Sequence, residues 1–174
     1  FRYRFVDPGR IKKPNSIVDK IRRYSDKYTN LWALDDMLGF RVAVVSQSDA
    51  DQLAETITNA AESPLTQIRG RPVESVDGYR ATHVSGWLSD VEPPLGCEIQ
   101  IRTGLQDLWA IVSSQDIYKR DVGDDVTDKT RDLAKRLAEI DMEIQLVREE
   151  TGHHRGEHIE AQTVEDSDDV DSSE

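Results

Sequence analysis

Asp36 and Glu98 are the carboxylates whose neighbours suggest chemistry on phosphates. Asp36 opens the stretch Asp36-Met-Leu-Gly39-Phe-Arg41, where a carboxylate at a helix end precedes a turn glycine and an arginine entering an apolar run. Magnesium takes hard oxygen ligands, usually one or two carboxylates completed by waters and substrate phosphates, and Asp36 is of that type. Glu98 lies in Cys97-Glu98-Ile99-Gln100-Ile101-Arg102-Thr103, in which apolar and polar residues alternate. A strand face of Glu98, Gln100 and Arg102 is too polar for a core, so it meets solvent or lines a cleft. Arg10, Lys12, Ser16 and Lys20 gather cations and a hydroxyl around a helix start, where backbone N–H groups and the helix dipole also favour anions. Gly78-Tyr79-Arg80-Ala81-Thr82-His83 sets Tyr79, Ala81 and His83 on one strand face. Each stretch alone has a plainer reading: a basic surface helix, a capping Asp beside a surface Arg, and ordinary packing of a Tyr and a His.

Such residues need elements to hold them. Residues 15–24 begin with a polar cap and place Ile17, Val18 and Ile21 at helical spacing, with Lys20, Arg22 and Arg23 around the other face, which predicts a basic helix. Asn30 caps a short helix through Leu31, Trp32, Leu34, Met37 and Leu38 that Gly39 stops, and residues 40–45 follow as a buried strand. Residues 49–61 read as a helix closed by Ser63-Pro64, and a loop comes next. Residues 79–88 and 97–102 alternate as strands. A helix over residues 104–118 precedes a longer one over 126–150, whose stripe of Leu133, Leu137, Ile140, Ile144 and Val147 needs a partner. That partner is either the sheet or a second subunit.

The chain's 174 residues, 37% of them hydrophobic, suit one compact domain with some extra length. No apolar run approaches the roughly 18 to 20 residues that cross a bilayer, and the start lacks a signal peptide's apolar stretch. A soluble cytoplasmic protein with no membrane partner is therefore expected, and Phe1 in place of an initiator methionine points to elements upstream. The single cysteine, Cys97, permits neither an internal disulfide nor a cysteine zinc site and reads as buried filler. The net charge of −12 is uneven: residues 1–27 hold nine Lys and Arg against three Asp, and residues 124–174 hold 17 acidic side chains against six basic ones. Phosphates suit the first segment. From residue 151 onward, few large apolar groups and a late acidic run cannot offset the entropy of ordering, so a disordered tail is expected. His153, His154 and His158 there read as solvated rather than metal-binding, since no cysteine accompanies them.

Taken in order and spacing, the four stretches resemble the synthetase domain of the RelA/SpoT family. Residues 10–20 match the family's R-x-K-x-x-x-S-I-x-x-K, residues 36–41 its D-x-x-G-x-R, residues 78–83 its G-Y-x-S-x-H and residues 98–103 its E-x-Q-x-R-T. The helix with Gln106-Asp107 and Trp109 near its start and Tyr118-Lys119 at its end continues the likeness. Two departures stand out. Members often carry a lysine a few residues before the Gly-Tyr pair, where residues 74–77 supply none, leaving Arg69, Arg71 or Arg80 as replacements. Ser113-Ser114 stands where many members carry Glu-His, which alters an acceptor contact or its supporting hydrogen bonds.

The resemblance implies an α/β (α+β), nucleotidyltransferase-like domain in residues 1–123, with a mixed central sheet of about five strands flanked by helices. A C-terminal helix for packing or oligomerisation follows in residues 124–150, and a disordered acidic tail in 151–174. It also implies a Mg2+-dependent pyrophosphokinase that uses ATP and GDP or GTP to make (p)ppGpp. On this reading Arg10, Lys12, Ser16, Lys20 and Arg41 bind ATP, with Arg10 and Arg41 sandwiching the adenine. Asp36 and Glu98 hold the metal, and Glu98 is the catalytic carboxylate facing the acceptor 3′-hydroxyl. Tyr79, His83, Gln100, Arg102 and Asp107 face the acceptor nucleotide, Asp107 accepting the paired N–H donors of guanine. Asp35, next to Asp36, reads as solvated. Toxic small synthetases with similar sequences instead modify adenosine nucleotides or the 3′ end of tRNA, and a neutralising antitoxin is then a partner. A degenerate nucleotide-binding module is the non-enzymatic alternative, and the intact Asp36 and Glu98 speak against it.

Overall fold

In the computed structural model, which describes residues 3–75, 78–113 and 124–165, the alternating run around Glu98 forms the central strand of a sheet. The elements are β1 (Tyr3–Ile11), α1 (Pro14–Arg23), a single 3-10 turn (Leu31–Ala33), β2 (Leu38–Val44), α2 (Gln47–Thr58), β3 (Leu65–Glu74), β4 (Arg80–Leu88), β5 (Leu95–Thr103), α3 (Gly104–Val112) and α4 (Asp124–Glu165). The five strands lie in the order β1-β2-β5-β4-β3. β2 and β5 run parallel and the other pairs antiparallel, which is the expected mixed sheet with flanking helices.

Register turns the alternation into two faces. Val42, Val44, Val84 and Ile101 point to one side, where Ala50 and Ala54 of α2 complete the core; Ser46 caps α2 by accepting from the Asp49 N–H. The other face is polar. Arg10, Gly39, Glu98, Ser85 and Arg69 form one row across all five strands, and Arg41, Gln100, His83 and Arg71 form the next. α1 is held by a smaller cluster in which Tyr28, Leu34 and Met37 meet Ile17, Ile21 and Leu31.

Several elements differ from the sequence reading. α1 begins at Pro14, a residue suited to the first helical position because the missing N–H has no helical partner there; Asn15 lies inside the first turn. Asn30 caps only one 3-10 turn, accepting from the Trp32 and Ala33 N–H groups at 2.9 and 3.1 Å. Gly39 stops no helix and sits within β2, because one turn cannot repay the cost of nucleating an α-helix. The segment after Ser63-Pro64, expected as a loop, is β3. A bulge at Gln67 breaks its period-two pattern and Pro72 disguises it, a residue that edge strands tolerate. β1 carries two register irregularities, between Phe5 and Asp7 and between Asp7 and Arg10, and shows no alternation for the same reason.

α4 continues through Glu165, past the ordered segment expected to end at residue 150, since no proline interrupts residues 151–165 and Gly152 alone costs only about 1 kcal/mol in a helix. Residues 166–174, the rest of the expected disordered tail, lie outside the described residues, as do Ser114, Tyr118, Lys119 and the side chains of His153, His154 and His158. The buried residues of α4 are Thr130, Ala134 and Asp141, whereas Val126, Leu133, Ile140 and Val147 remain exposed. Leu137 and Ile144 are partly buried, so the predicted stripe is divided, with Leu133, Ile140 and Val147 left facing outward. Among the described residues no helix is long and apolar enough to cross a membrane.

Candidate active site

Five side chains on the polar face close a ring. Gln100 Nε2 donates to Glu98 Oε1 at 2.8 Å, and Arg102 Nη2 donates to Gln100 Oε1 at 2.7 Å and to the Tyr79 hydroxyl at 2.8 Å. The Tyr79 hydroxyl lies 3.0 Å from His83 Nε2. His83 Nδ1 returns to Glu98, 3.2 Å from Oε2, but at an angle that leaves Nδ1 without a true hydrogen bond. Residues two or four apart along one strand share a face, and register sets those of adjoining strands within reach of one another, so the E-x-Q-x-R spacing and the Y-x-x-x-H spacing are what build the ring.

Electrostatics keep Glu98 ionised. Burial alone would push its carboxyl up, but the neighbouring His83, the Gln100 N–H and the charge of Lys20 outweigh it and lower the pKa to about 2. Glu98 is thus an ionised hydrogen-bond acceptor at any ordinary pH. Beside it Cys97 is buried and unpaired, its thiol pushed up to about 11 by burial and by Glu98, which agrees with a packing role.

The Leu34–Asp35 backbone crosses β5 at Gly96, where any Cβ would collide with the Leu34 carbonyl and the Asp35 backbone. This crossing carries Asp36 over the polar face. Asp36 Oδ2 receives Lys12 Nζ at 2.7 Å and Lys20 Nζ at 3.0 Å, and its Oδ1 is buried with no hydrogen-bond partner among the described residues. Such an orphaned oxygen suits a cation. No cluster of three or more His, Cys, Asp or Glu among the described residues could hold a metal by itself. Asp36 and Glu98 are instead two carboxylates on one cleft, the protein ligand number that magnesium uses when phosphates and waters supply the rest. That cleft is open to solvent, has about 410 Å³ of empty space and is lined by Arg10, Lys12, Asp36, Arg41, Glu98 and Gln100, with Gly39 and Phe40.

Asp35, expected as merely solvated, is partly exposed but held in a set of ion pairs and hydrogen bonds. Burial would raise its pKa, but Lys20, Lys27 and the Tyr28 hydroxyl, each within 3.0 Å, hold it well below the usual carboxylate range. Lys20 in turn stays charged, because the pull of Asp35 and Asp36 exceeds the cost of its burial.

The remaining expected residues divide. Arg10 and Arg41 reach the same cleft, whereas Ser16 is exposed on α1 and does not line it. Tyr79 has the Arg102 guanidinium over its ring, 4.9 Å from the centroid. Asp107 accepts from Arg102 Nη1 at 3.1 Å and lies 3.7 Å from Arg41 Nε. Arg80 turns to the other side, lining a cavity with Gly78 and Ala134 of α4. There Gly78, at φ +78°, abuts Ala134 so closely that no Cβ fits. α4 is fastened nearby: the Thr103 hydroxyl donates to Asp141 at 2.7 Å, and Arg148 reaches Ser46 and buried Asp49. Gly96, Ser85 and Trp87 were not singled out in the sequence, although alternation from His83 puts Ser85 and Trp87 on the site face.

A family model described as a region found in RelA/SpoT proteins matches residues 9–123. The fold resembles that of small alarmone synthetase 1 from Bacillus subtilis, with 23% identity and a TM-score of 0.71 over 83% of this chain and 79% of that one. A second structure of that protein, bound to its product pppGpp, matches with 24% identity and a TM-score of 0.70 over 83% and 77%. A GTP pyrophosphokinase family protein from Streptococcus pneumoniae matches with 25% identity and a TM-score of 0.70 over 84% and 76%. The search of curated proteins gives no match.

Proposed function

The chain belongs to the RelA/SpoT family, and from that premise we propose that it is a magnesium-dependent pyrophosphokinase that uses ATP and GDP or GTP to make (p)ppGpp and AMP. The carrying observation is the pairing in one cationic cleft of Asp36, with an unsatisfied buried oxygen, and Glu98, held ionised. In the reaction the acceptor 3′-oxygen bonds to the β-phosphorus of ATP. The bond from that phosphorus to the α–β bridging oxygen breaks, and its electron pair leaves with AMP.

Arg10, Lys12, Lys20 and Arg41 supply positive charge for the triphosphate, and Lys12 and Lys20 can pass from Asp36 to phosphate oxygens. Asp36 and Glu98 would hold magnesium, which when bound neutralises charge on the transferring phosphates. Glu98 orients the 3′-hydroxyl and accepts its proton as the bond forms. Its low proton affinity makes it an acceptor first and a base only as the hydroxyl becomes acidic in the transition state. Nucleotides and magnesium are abundant in cytoplasm, the proposed site of action.

One observation favours a second reading of the acceptor. Asp107 Oδ1 is already committed to Arg102, which leaves less of the carboxylate to read guanine and favours adenosine nucleotides or a tRNA 3′ end. The test is to incubate the protein with labelled ATP, magnesium and separate pools of GDP, GTP, ADP, AMP and tRNA. Label on GDP or GTP supports the first reading and label on adenosine acceptors or tRNA the second; label on none rejects both. The exposed stripe on α4 is proposed as a homo-oligomer surface.

A further inference from the structure

Resting on the pyrophosphokinase reading, we propose that Asp141 of α4 is a positioning residue for the transfer step: it fixes the Thr103 hydroxyl, and through Thr103 it sets the helix turn that holds Asp107, Arg102 and the ring presenting Glu98. Among the described residues the cleft takes no side chain from α4, so the helix reaches the chemistry only through such a relay.

Thr103 joins three elements. It ends β5, caps α3 and meets α4. Its hydroxyl oxygen accepts the Gln106 N–H at 3.2 Å while the Gln106 side chain accepts the Thr103 N–H at 3.2 Å, a reciprocal capping box. A hydroxyl has one proton to give and two lone pairs to receive with. Thr103 is fully buried, so its proton must go to a protein group, and Asp141 Oδ2 takes it at 2.7 Å. That bond leaves a lone pair for the Gln106 N–H. Without it the hydroxyl is free to turn its proton toward the cap.

The cap adjoins the site on both sides. Arg102 precedes Thr103 and Asp107 follows Gln106, and the 3.1 Å Arg102–Asp107 bond spans the box. Arg102 then holds Gln100 and Tyr79, and Gln100 donates to Glu98. Gln106 Nε2 also donates to Gln47 Oε1 of α2 at 2.9 Å, so the first turn of α3 is held from two sides. α4 braces the other end of the ring as well. β4 starts beside the end of β5, and Gly78, next to Tyr79, abuts Ala134. Ala134 and Asp141 are both buried and lie two helical turns apart on one face of α4, roughly 10 Å from each other. That face supports Tyr79 and Arg102 together.

Stability does not explain a carboxylate at this position. Burial pushes the Asp141 carboxyl up against the opposing pull of the Thr103 hydroxyl and Arg80, so its ionised form is held at a cost to folding. Arg148 is the natural control, because it ties α4 to Ser46 and Asp49, which belong neither to the ring nor to the α3 cap.

The test measures kcat, the KM values for ATP and acceptor, and the melting temperature for wild type, Asp141→Ala, Asp141→Asn, Thr103→Val, the double variant of Asp141→Ala with Thr103→Val, and Arg148→Ala. Asp141→Ala should lower kcat about tenfold with both KM values within about twofold of wild type. Asp141→Asn, whose amide oxygen still accepts the hydroxyl proton, should recover most of that loss. In the Thr103→Val background Asp141→Ala should lower kcat no further. Arg148→Ala should lower the melting temperature and keep kcat. Wild-type kcat in Asp141→Ala, additive losses in the double variant, or an equal kcat loss in Arg148→Ala overturns the proposal and leaves the activity standing. If Asp141→Ala does not fold, Asp141→Ser, too short to reach the hydroxyl, takes its place. If wild type labels no acceptor, the pyrophosphokinase reading fails instead. Amide hydrogen exchange at Gln106 then decides the relay, roughly tenfold faster exchange in Asp141→Ala than in Asp141→Asn supporting it and equal rates overturning it.

Discussion

Arg102 on β5 and Asp107 on α3 are joined by a 3.1 Å hydrogen bond in which both partners are buried. Through its other terminal nitrogen Arg102 holds Gln100 and Tyr79, so Asp107 anchors the ring that presents Glu98.

Asp107→Ala should therefore act on stability as well as on base choice. Removing one partner of a buried pair leaves an uncompensated charge, at a cost of about 3 to 5 kcal/mol, so urea unfolding should show a clear loss. In acceptor competition the variant should lose guanine preference mainly by losing guanine. A variant as stable as wild type would show that Arg102 does not depend on Asp107.

Glu98→Gln keeps the shape and the Gln100 contact region but cannot accept a proton, and turnover should fall at least ~10²-fold while nucleotide binding survives. It should also change the acid limb of stability. The carboxyl is depressed from 4.5 to about 2, so its contribution is full above about 4.5 and is lost as pH falls through about 2. Acid titration of wild type should lose up to roughly 3 kcal/mol more over that window than Glu98→Gln. Parallel acid limbs would remove the His83 and Gln100 contacts as the cause.

Asp36→Asn replaces a hard anionic ligand with a neutral amide. The magnesium activation curve should move to higher concentration, and Lys12 and Lys20 should lose their shared partner. An unmoved curve would take Asp36 out of the metal site.

Truncation tests how far α4 matters. Deleting residues 151–174 keeps the Asp141–Thr103 and Arg148–Asp49 links, so the melting temperature should change by less than about 2 °C and activity should persist. Ending the chain at residue 140 removes both links and should lower the melting temperature by several times as much. A large drop on the first deletion would mean that residues beyond 150 are anchored to the body.

Ile140 sits in the exposed stripe of α4. If that stripe mediates self-association, Ile140→Glu should lower the mass measured by light scattering with little change in monomer stability. Equal masses for the two proteins would leave the stripe without that role.

Local pattern carried much of this chain. Period-two alternation marked the site strand, the tight spacings of residues 36–41 and 98–103 named both carboxylates, and Asn30 was legible as a cap. β1 and β3 were not, because a bulge shifts the phase of alternation and erases the pattern by which a strand is read. The partners of Asp35 lie seven to 15 residues away in sequence, so no local window showed that it is paired.

The sequence by itself determined the family, the sheet-centred fold and which side chains can do chemistry, since these rest on residue types and short spacings. Only the tertiary structure decided which faces meet. Strand order put Arg10 and Arg69 on opposite flanks of Glu98, the Gly96 crossing set Asp36 above the cleft, and packing left Leu133, Ile140 and Val147 of α4 exposed. Each of these is set by contacts between segments far apart in the chain, where the energy of burial and charge pairing depends on register and not on neighbouring letters.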